Sequence, residues 1–267
     1  MSNHPTASIH PTAIVAEGAV IPASCTVGPF CTIGPNVVLG EGCELVSHVV
    51  LDGHTTFGAR NKIFSFACLG IAPQDLKYAS EPTRAQFGDD NTIREYVTVS
   101  RGTAGGGGLT RIGSGNLIMA YVHIGHDSRI GNGCILPNGA TLAGHVTVED
   151  YATLSANAPV HQFCTIGRYA YVGGGTTITQ DVMPYSLTSA ERNNAVYGIN
   201  KVGLQRKGFT GEQLRELSTA MRVLTSGNHN TTQALEIIND MIAQGAGGEH
   251  VKYLAEFVAA SERGVIK

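Results

Sequence analysis

The sequence predicts a mainly β protein, a parallel β-helix of hexapeptide repeats followed by a C-terminal α-helical domain. Three observations point there. An apolar residue recurs at every sixth position in long tracts, glycine often follows it, and Trp is absent with aromatic residues at only 6% of the chain. A period of six matches neither the helical 3.6 nor the strand 2.0, so it marks a repeat architecture. Three hexads, each a short strand and a turn, wind into one coil of a triangular prism. Their aliphatic side chains point inward and stack on those of the coils above and below. Such an interior has little room for large rings, and the 34 glycines suit the tight corners.

The first tract runs Ile9, Val15, Ile21, Val27, Ile33, Leu39, Leu45, Leu51, Phe57, Ile63, Leu69. A middle tract gives Phe87, Ile93 and Val99. The longest runs from Ile112 through Ile118, Ile124, Ile130, Leu136, Leu142, Val148, Leu154, Val160, Ile166 and Val172 to Ile178. Two polar segments interrupt the count and read as loops thrown out of the prism, near 70–86 and 100–111. The first keeps the phase, because Leu69 and Phe87 are 18 positions apart; the second contains a glycine run that reads only as flexible. The repeat domain spans 1–185, roughly nine coils and about 43 Å at ~4.8 Å per coil.

Met183-Pro184-Tyr185 closes the repeat, and the helical domain, 186–267, begins with an irregular stretch. Thr210 and Gln213 form a capping box ahead of Leu214, Leu217, Met221 and Leu224 at helical spacing. A second helix starts near Thr231 and carries Leu235, Ile238 and Ile242; a third runs from about Glu249 through Val251, Leu254 and Val258. These helices would cover strand edges left open at the end of the prism.

The net charge of −3 argues against nucleic-acid binding, which asks for a basic stripe. No apolar stretch approaches a membrane span, and the N-terminus shows no signal-peptide pattern, so no integral membrane segment and a cytoplasmic location are expected. Five of the six cysteines (Cys25, Cys31, Cys43, Cys134, Cys164) lie four residues after an inward aliphatic, where a hexad takes a small residue. They read as packing thiols, and no Cys-x-x-Cys pair supports a metal or redox site.

Residues 18 apart should stack in successive coils. On this rule His126 lies over Gly144 and Gln162, Asp127 over His145 and Phe163, and Gly125 over Ala143 and His161, with His123 beside the row. Such a patch could be polar surface, a metal site, or a place for acid–base chemistry. Neither His123/His126 nor His145/His161 shows an obvious orienting carboxylate in the sequence, which disfavours a metal. An imidazole titrating near neutrality can accept a proton from a sugar hydroxyl as it attacks a carbonyl. The neighbouring Gly144 amide is placed to meet the developing oxyanion. No activated-nucleophile motif appears, so direct transfer is preferred to a covalent intermediate.

Several segments then converge on one family. They are Gln74-Asp75-Leu76-Lys77-Tyr78, Glu81-Pro82-Thr83-Arg84, Arg101-Gly102-Thr103, His123-Ile124-Gly125-His126-Asp127 and Leu142-Ala143-Gly144-His145. Val160-His161-Gln162-Phe163, Gly198-Ile199-Asn200 and the stretch Gly203 to Phe209 complete the set. In these, and over essentially its whole length, the chain resembles the UDP-N-acetylglucosamine O-acyltransferases of lipid A biosynthesis, which are hexapeptide-repeat acyltransferases.

The resemblance implies a left-handed coil and a homotrimer with active sites in the clefts between subunits. The implied reaction moves an (R)-3-hydroxyacyl group from acyl carrier protein to the glucosamine 3-hydroxyl of UDP-N-acetylglucosamine, the first step of lipid A biosynthesis, with no cofactor and no metal. By the same likeness His126 is the general base and Gly144 the oxyanion donor. Asp75 and Lys77 reach the substrates across the subunit boundary, and His123, His145, His161, Gln162, Asn200 and Arg206 line the same cleft. Gly174 sets acyl-chain length. The alternative is a related hexapeptide-repeat sugar acyltransferase with a different acyl donor or nucleotide sugar. Basic residues Lys201, Arg206, Lys207, Arg215 and Arg222 offer the acidic carrier protein a docking surface.

Overall fold

The computed structural model describes residues 7–190 and 194–267. Its strands are short because the hexad allows little more than two extended residues, one pointing out and one in. Thr32–Ile33, Thr92–Ile93 and Thr147–Val148 are typical, each with its aliphatic partner buried. Coils pair in parallel at a step of 18, as Thr26–Val27 does with Glu44–Leu45. The three faces are an eleven-stranded sheet starting at Ser8–Ile9, an eight-stranded sheet starting at Ile14–Val15, and a six-stranded sheet starting at His54–Phe57. We call them the first, second and third faces, in the order the chain visits them. The inward aliphatics form one continuous core from Cys25 to Ile178.

The packing thiols are where the repeat puts them. Cys25, Cys31, Cys43, Cys134 and Cys164 are buried and unpaired, and burial pushes the Cys134 thiol up to about 12, far from thiolate chemistry at neutral pH. In the row that holds Cys43 and Cys134, three intervening coils carry Asn61, Asn91 and Asn116 instead. Asn91 Nδ2 donates to Asn61 Oδ1 (2.9 Å) and Gly113 O (2.9 Å), while its Oδ1 accepts from Asn116 N (3.0 Å) and Asn116 Nδ2 (2.9 Å). This buried amide ladder spans the coils where the loops leave. Replacing Asn91 with Ala strands several of these partners, each at a cost of ~1–3 kcal/mol. We expect a loss of about 3 kcal/mol or more, seen as a lower denaturant midpoint at unchanged slope; a loss below about 1 kcal/mol would mean the ladder is dispensable.

Both loops leave the corner between the second and third faces. One, 72–83, joins Cys68–Ile71 to Arg84–Phe87; the other, 101–108, joins Thr98–Ser100 to Leu109–Ile112 and holds a 3-10 turn, Ala104–Gly106. The first loop does not keep the phase as the sequence spacing suggested. Phe87 stacks on Phe57, with ring centroids 4.4 Å apart, and Leu69 pairs instead with Val99. The chain advances only one face while it spends 18 residues between Leu69 and Phe87, so the 18-residue rule fails here and resumes after Ile112.

The stretch after Tyr185, expected to be irregular, is an antiparallel hairpin of Ser186–Ala190 and Asn194–Ile199 that adds to the edge of the first face. Leu187 and Thr188 pair in parallel with Tyr171 and Val172, so a strand, not a helix, covers the edge that Tyr171–Val172 would leave open on the first face. Four helices follow: α1 Lys201–Arg206, α2 Gly211–Thr225, α3 Thr231–Ala243 and α4 Glu249–Ala260. The Thr210–Gln213 capping box forms, and Asn230 with Gln233 makes a second one ahead of α3. α1 was not anticipated; its start is fixed by Asn200, whose Oδ1 accepts from Gly203 N. Leu214, Leu217, Met221, Ile238, Leu254 and Val258 pack into a second core around Met183 and Tyr185. The tail after α4 returns to the prism, where Ile266 N donates to Asp181 O (3.0 Å). Among the described residues, no helix is long and apolar enough to cross a membrane.

Candidate active site

His126 and Asp127 occupy the turn between His123–Ile124 on the second face and Arg129–Ile130 on the third. No insertion lies between Ile112 and Ile178, so the 18-residue step holds here. Asp127, His145 and Phe163 stack along one edge, each with φ near +60°. The His145 ring lies 4.6 Å from Phe163 and 5.2 Å, edge-on, from His126. Gly144 sits on the rung beside His126. A Cβ there would come within 2.7 Å of His126 Nε2, so the missing side chain is what leaves room for the imidazole. The Gly144 N–H donates to no acceptor among the described residues.

Sequence reasoning missed the carboxylate. Asp127 is only 6% exposed, and its Oδ2 lies 2.8 Å from His126 Nδ1. A carboxylate accepts, so the proton sits on Nδ1 and the His126 Nε2 lone pair faces out of the corner. The same carboxylate accepts from Thr103 N (3.0 and 3.1 Å) and Thr103 Oγ1 (2.6 Å), which belong to the second loop. His145 Nε2 is 3.8 Å away. The orienting group that the histidines lacked in the sequence is therefore present, one residue from His126. His126, Asp127 and His145 bring three ligand-type atoms within 4.8 Å of one another. A cation between them would have to displace the bonds by which Thr103 and His126 already occupy that carboxylate.

The other histidines differ. Burial, with the charge of His126 adding to it, holds His123 below the usual imidazole range, and its Nδ1 is 2.8 Å from Thr98 Oγ1. His161 and Gln162 are exposed on the next rung. The returning tail places Arg263 Nη2 3.3 Å from His161 Nδ1, a neighbour that spacing could not reveal.

Asp75 and Lys77 lie in the first loop, where the Asp75 carboxylate accepts from Lys77 N (3.0 Å) and Leu76 stands fully exposed between them. Arg101 fastens that loop to the prism by donating to Tyr78 OH (2.8 Å) and Gly70 O (2.8 Å). Asn200 and Arg206 do not join the histidines within one chain. They line a cavity of about 550 Å³ on the first face with Tyr151, Tyr169, Tyr171 and Lys207. The Asn200 amide is partly committed there, accepting from Gly203 N (3.2 Å) and donating to Tyr169 O (3.1 Å). Gly174 lies at the corner between the first and second faces, across the second face from His126. Its neighbours explain the glycines differently: a Cβ on Gly173 would press on Ser189, Gly175 has φ +67°, but a Cβ on Gly174 would meet nothing closer than 3.6 Å.

The corner thus offers a proton acceptor held by a buried carboxylate and, one rung away, an unused N–H. That pairing suits addition of a hydroxyl to a carbonyl. Comparisons with known proteins bear on the family and the fold. A family model described as UDP N-acetylglucosamine O-acyltransferase, domain 2, matches residues 181–266, and the bacterial transferase hexapeptide model matches 18–53 and 109–144. An acyl-[acyl-carrier-protein]–UDP-N-acetylglucosamine O-acyltransferase of Alkalilimnicola ehrlichii is 48% identical over 76% of this chain and 77% of its own. The crystal structure of the Francisella novicida UDP-N-acetylglucosamine acyltransferase superposes with a TM-score of 0.92 at 40% identity, over 97% of this chain and 93% of its own. The Moraxella catarrhalis UDP-N-acetylglucosamine O-acyltransferase gives 0.92 at 36% identity, over 97% and 99%. The fold is the left-handed parallel β-helix of hexapeptide repeats with a C-terminal helical region. The chain belongs to the family of UDP-N-acetylglucosamine O-acyltransferases.

Proposed function

We propose that this protein transfers an (R)-3-hydroxyacyl group from acyl carrier protein to the 3-hydroxyl of the glucosamine ring of UDP-N-acetylglucosamine, the first step of lipid A biosynthesis, in the cytoplasm. The observation that carries the mechanism is the 2.8 Å bond from His126 Nδ1 to buried Asp127, beside the uncommitted Gly144 N–H. His126 Nε2 takes the proton of the sugar hydroxyl as its oxygen bonds to the thioester carbonyl carbon. The oxyanion accepts from Gly144 N–H. Collapse breaks the carbon–sulfur bond, and the imidazolium returns its proton to the departing thiolate. The Asp127 carboxylate orients His126 and steadies the imidazolium, much as a carboxylate does in a catalytic triad. His145, His161 and Gln162 flank the acceptor, while His123, half-buried and held towards its neutral form, shapes the wall.

The acting unit in this reading is a homotrimer. The histidine row and the cavity holding Asn200 and Arg206 lie on different parts of one prism, so a neighbour must bring the second to the first. Arg206 there pairs with the nucleotide phosphates through its fork of donors. The first loop, with Leu76 exposed at its tip, carries Asp75 and Lys77 across the same boundary. Lys201, Lys207, Arg215 and Arg222 give the acidic carrier protein its landing surface. Two measurements test this. Purified protein should acylate UDP-N-acetylglucosamine from a panel of 3-hydroxyacyl carrier proteins, and activity with acetyl-coenzyme A alone would overturn the donor. Light scattering should give three times the 28.0 kDa chain mass; a monomer would sink the shared site.

A further inference from the structure

The glycine run of the second loop reads from sequence as slack, yet the structure builds it around one carboxylate. Thr103 is only 8% exposed and delivers both its backbone N–H and its hydroxyl to Asp127, while the same hydroxyl oxygen accepts from Gly106 N (3.1 Å) and so starts the 3-10 turn. The chain returns at once to Leu109–Ile112, whose Thr110 Oγ1 accepts from Asp127 N (2.8 Å). A Cβ on Gly106 would overlap the Asp127 carboxylate, whereas a Cβ on Gly105, one residue earlier, would meet nothing within 4 Å. One glycine of the pair is there for close approach to the carboxylate, and the other is not.

We infer that Thr103 is a positioning residue for the acyl transfer: with Gly106 it clamps Asp127 so that the carboxylate holds the His126 imidazole with Nε2 facing the acceptor hydroxyl. The inference rests on the reading of His126 as the base. Asp127 sits in a turn of left-handed backbone (φ 59°) next to the group it orients, and side-chain rotation would take Oδ2 off Nδ1. Three donor contacts from Thr103 oppose that rotation. Thr103 touches neither substrate nor reacting atoms in this scheme, so it should act on turnover and leave substrate affinity alone.

The test uses the full-length protein and the acyl transfer assay. Thr103→Val keeps the shape and backbone N–H but removes the hydroxyl. We expect kcat to fall about tenfold, the worth of one hydrogen bond to a buried charge, with both KM values within about twofold. Thr103→Ser should restore most of the rate. Gly106→Ala, which pushes the loop off the carboxylate, should reproduce the loss, while Gly105→Ala keeps wild-type rates. In a His126→Ala background, Thr103→Val should cost nothing further, because two residues acting through one group are not additive. A wild-type kcat for Thr103→Val, or a further tenfold loss in the His126→Ala background, would overturn the clamp. His126→Ala alone separates the two readings: if it retains activity the base assignment fails, and if it is inactive while Thr103→Val is unimpaired only the clamp fails.

Discussion

Replacing His126 with Ala should lower kcat by two or more orders of magnitude while the protein stays folded. A general base contributes about 10²–10⁴ to a rate, and a hundredfold loss corresponds to about 2.7 kcal/mol of transition-state stabilisation. The fold should survive because the imidazole lies on a corner of the prism, outside the core that runs from Cys25 to Ile178. His145→Ala and His161→Ala should raise KM more than they lower kcat, since neither ring shares the close Asp127 bond that orients His126. Steady-state kinetics on the three variants decides the matter. If His126→Ala kept most activity and His123→Ala lost it, the base would be the other member of the pair. The geometry argues against that outcome. His123 is half-buried, its Nδ1 is engaged with Thr98, and partial burial already favours its neutral form.

Gly174→Met should shorten the preferred acyl chain by several carbons without abolishing transfer. Each methylene that still fits adds roughly 0.8 kcal/mol of burial, so blocking the far end of the groove reverses a preference built from such increments. A backbone reason for glycine is lacking at this position. Gly175 takes the left-handed conformation and Gly173 the close packing against Ser189, while Gly174 has ordinary van der Waals space around a would-be Cβ. The substitution should therefore fold, and competition among 3-hydroxyacyl carrier proteins of increasing chain length reads the result. An unchanged preference would remove Gly174 from the ruler. A misfolded variant would mean that the corner beside Ser155 and Ala156 needs the glycine after all.

Much of this molecule could be read before it was seen, and the limits of that reading have physical causes. The hexad identified the coil because each short strand must bury one aliphatic side chain in the prism. The 18-residue step put Gly144 beside His126 and His145 beside Asp127 because the coils from Ile112 to Ile178 are uninterrupted. The Thr103–Asp127 bonds join residues 24 apart, a spacing set by the size of a loop that no repeat rule describes. The Asn61–Asn91–Asn116 ladder hides in a row otherwise filled by thiols and small side chains, where only the three-dimensional register shows the amides meeting. The hairpin after Tyr185 leaves no periodic trace, because Leu187, Val196 and Ile199 follow neither the period of six nor that of a helix. The separation of Asn200 and Arg206 from the histidines is a matter of which face each element lies on. Sequence similarity groups such residues by role, whatever the distance between them in one chain.

The shared exit corner of the two loops has a consequence for how such a protein can change length. Along the uninterrupted coils the hexad works as a reading frame for direction. Gaining or losing one hexad would carry every later residue a third of the way round the axis, and His126 and Gly144 would face different neighbours. Eighteen residues alter only the height. At the exit corner neither restriction applies, because both loops depart after the second face and rejoin at the third, however many residues they spend outside. Insertions at those two points leave the register of the coils untouched; in the first loop they also leave Asp127 alone, whereas in the second they must spare Thr103 and Gly106, which hold it.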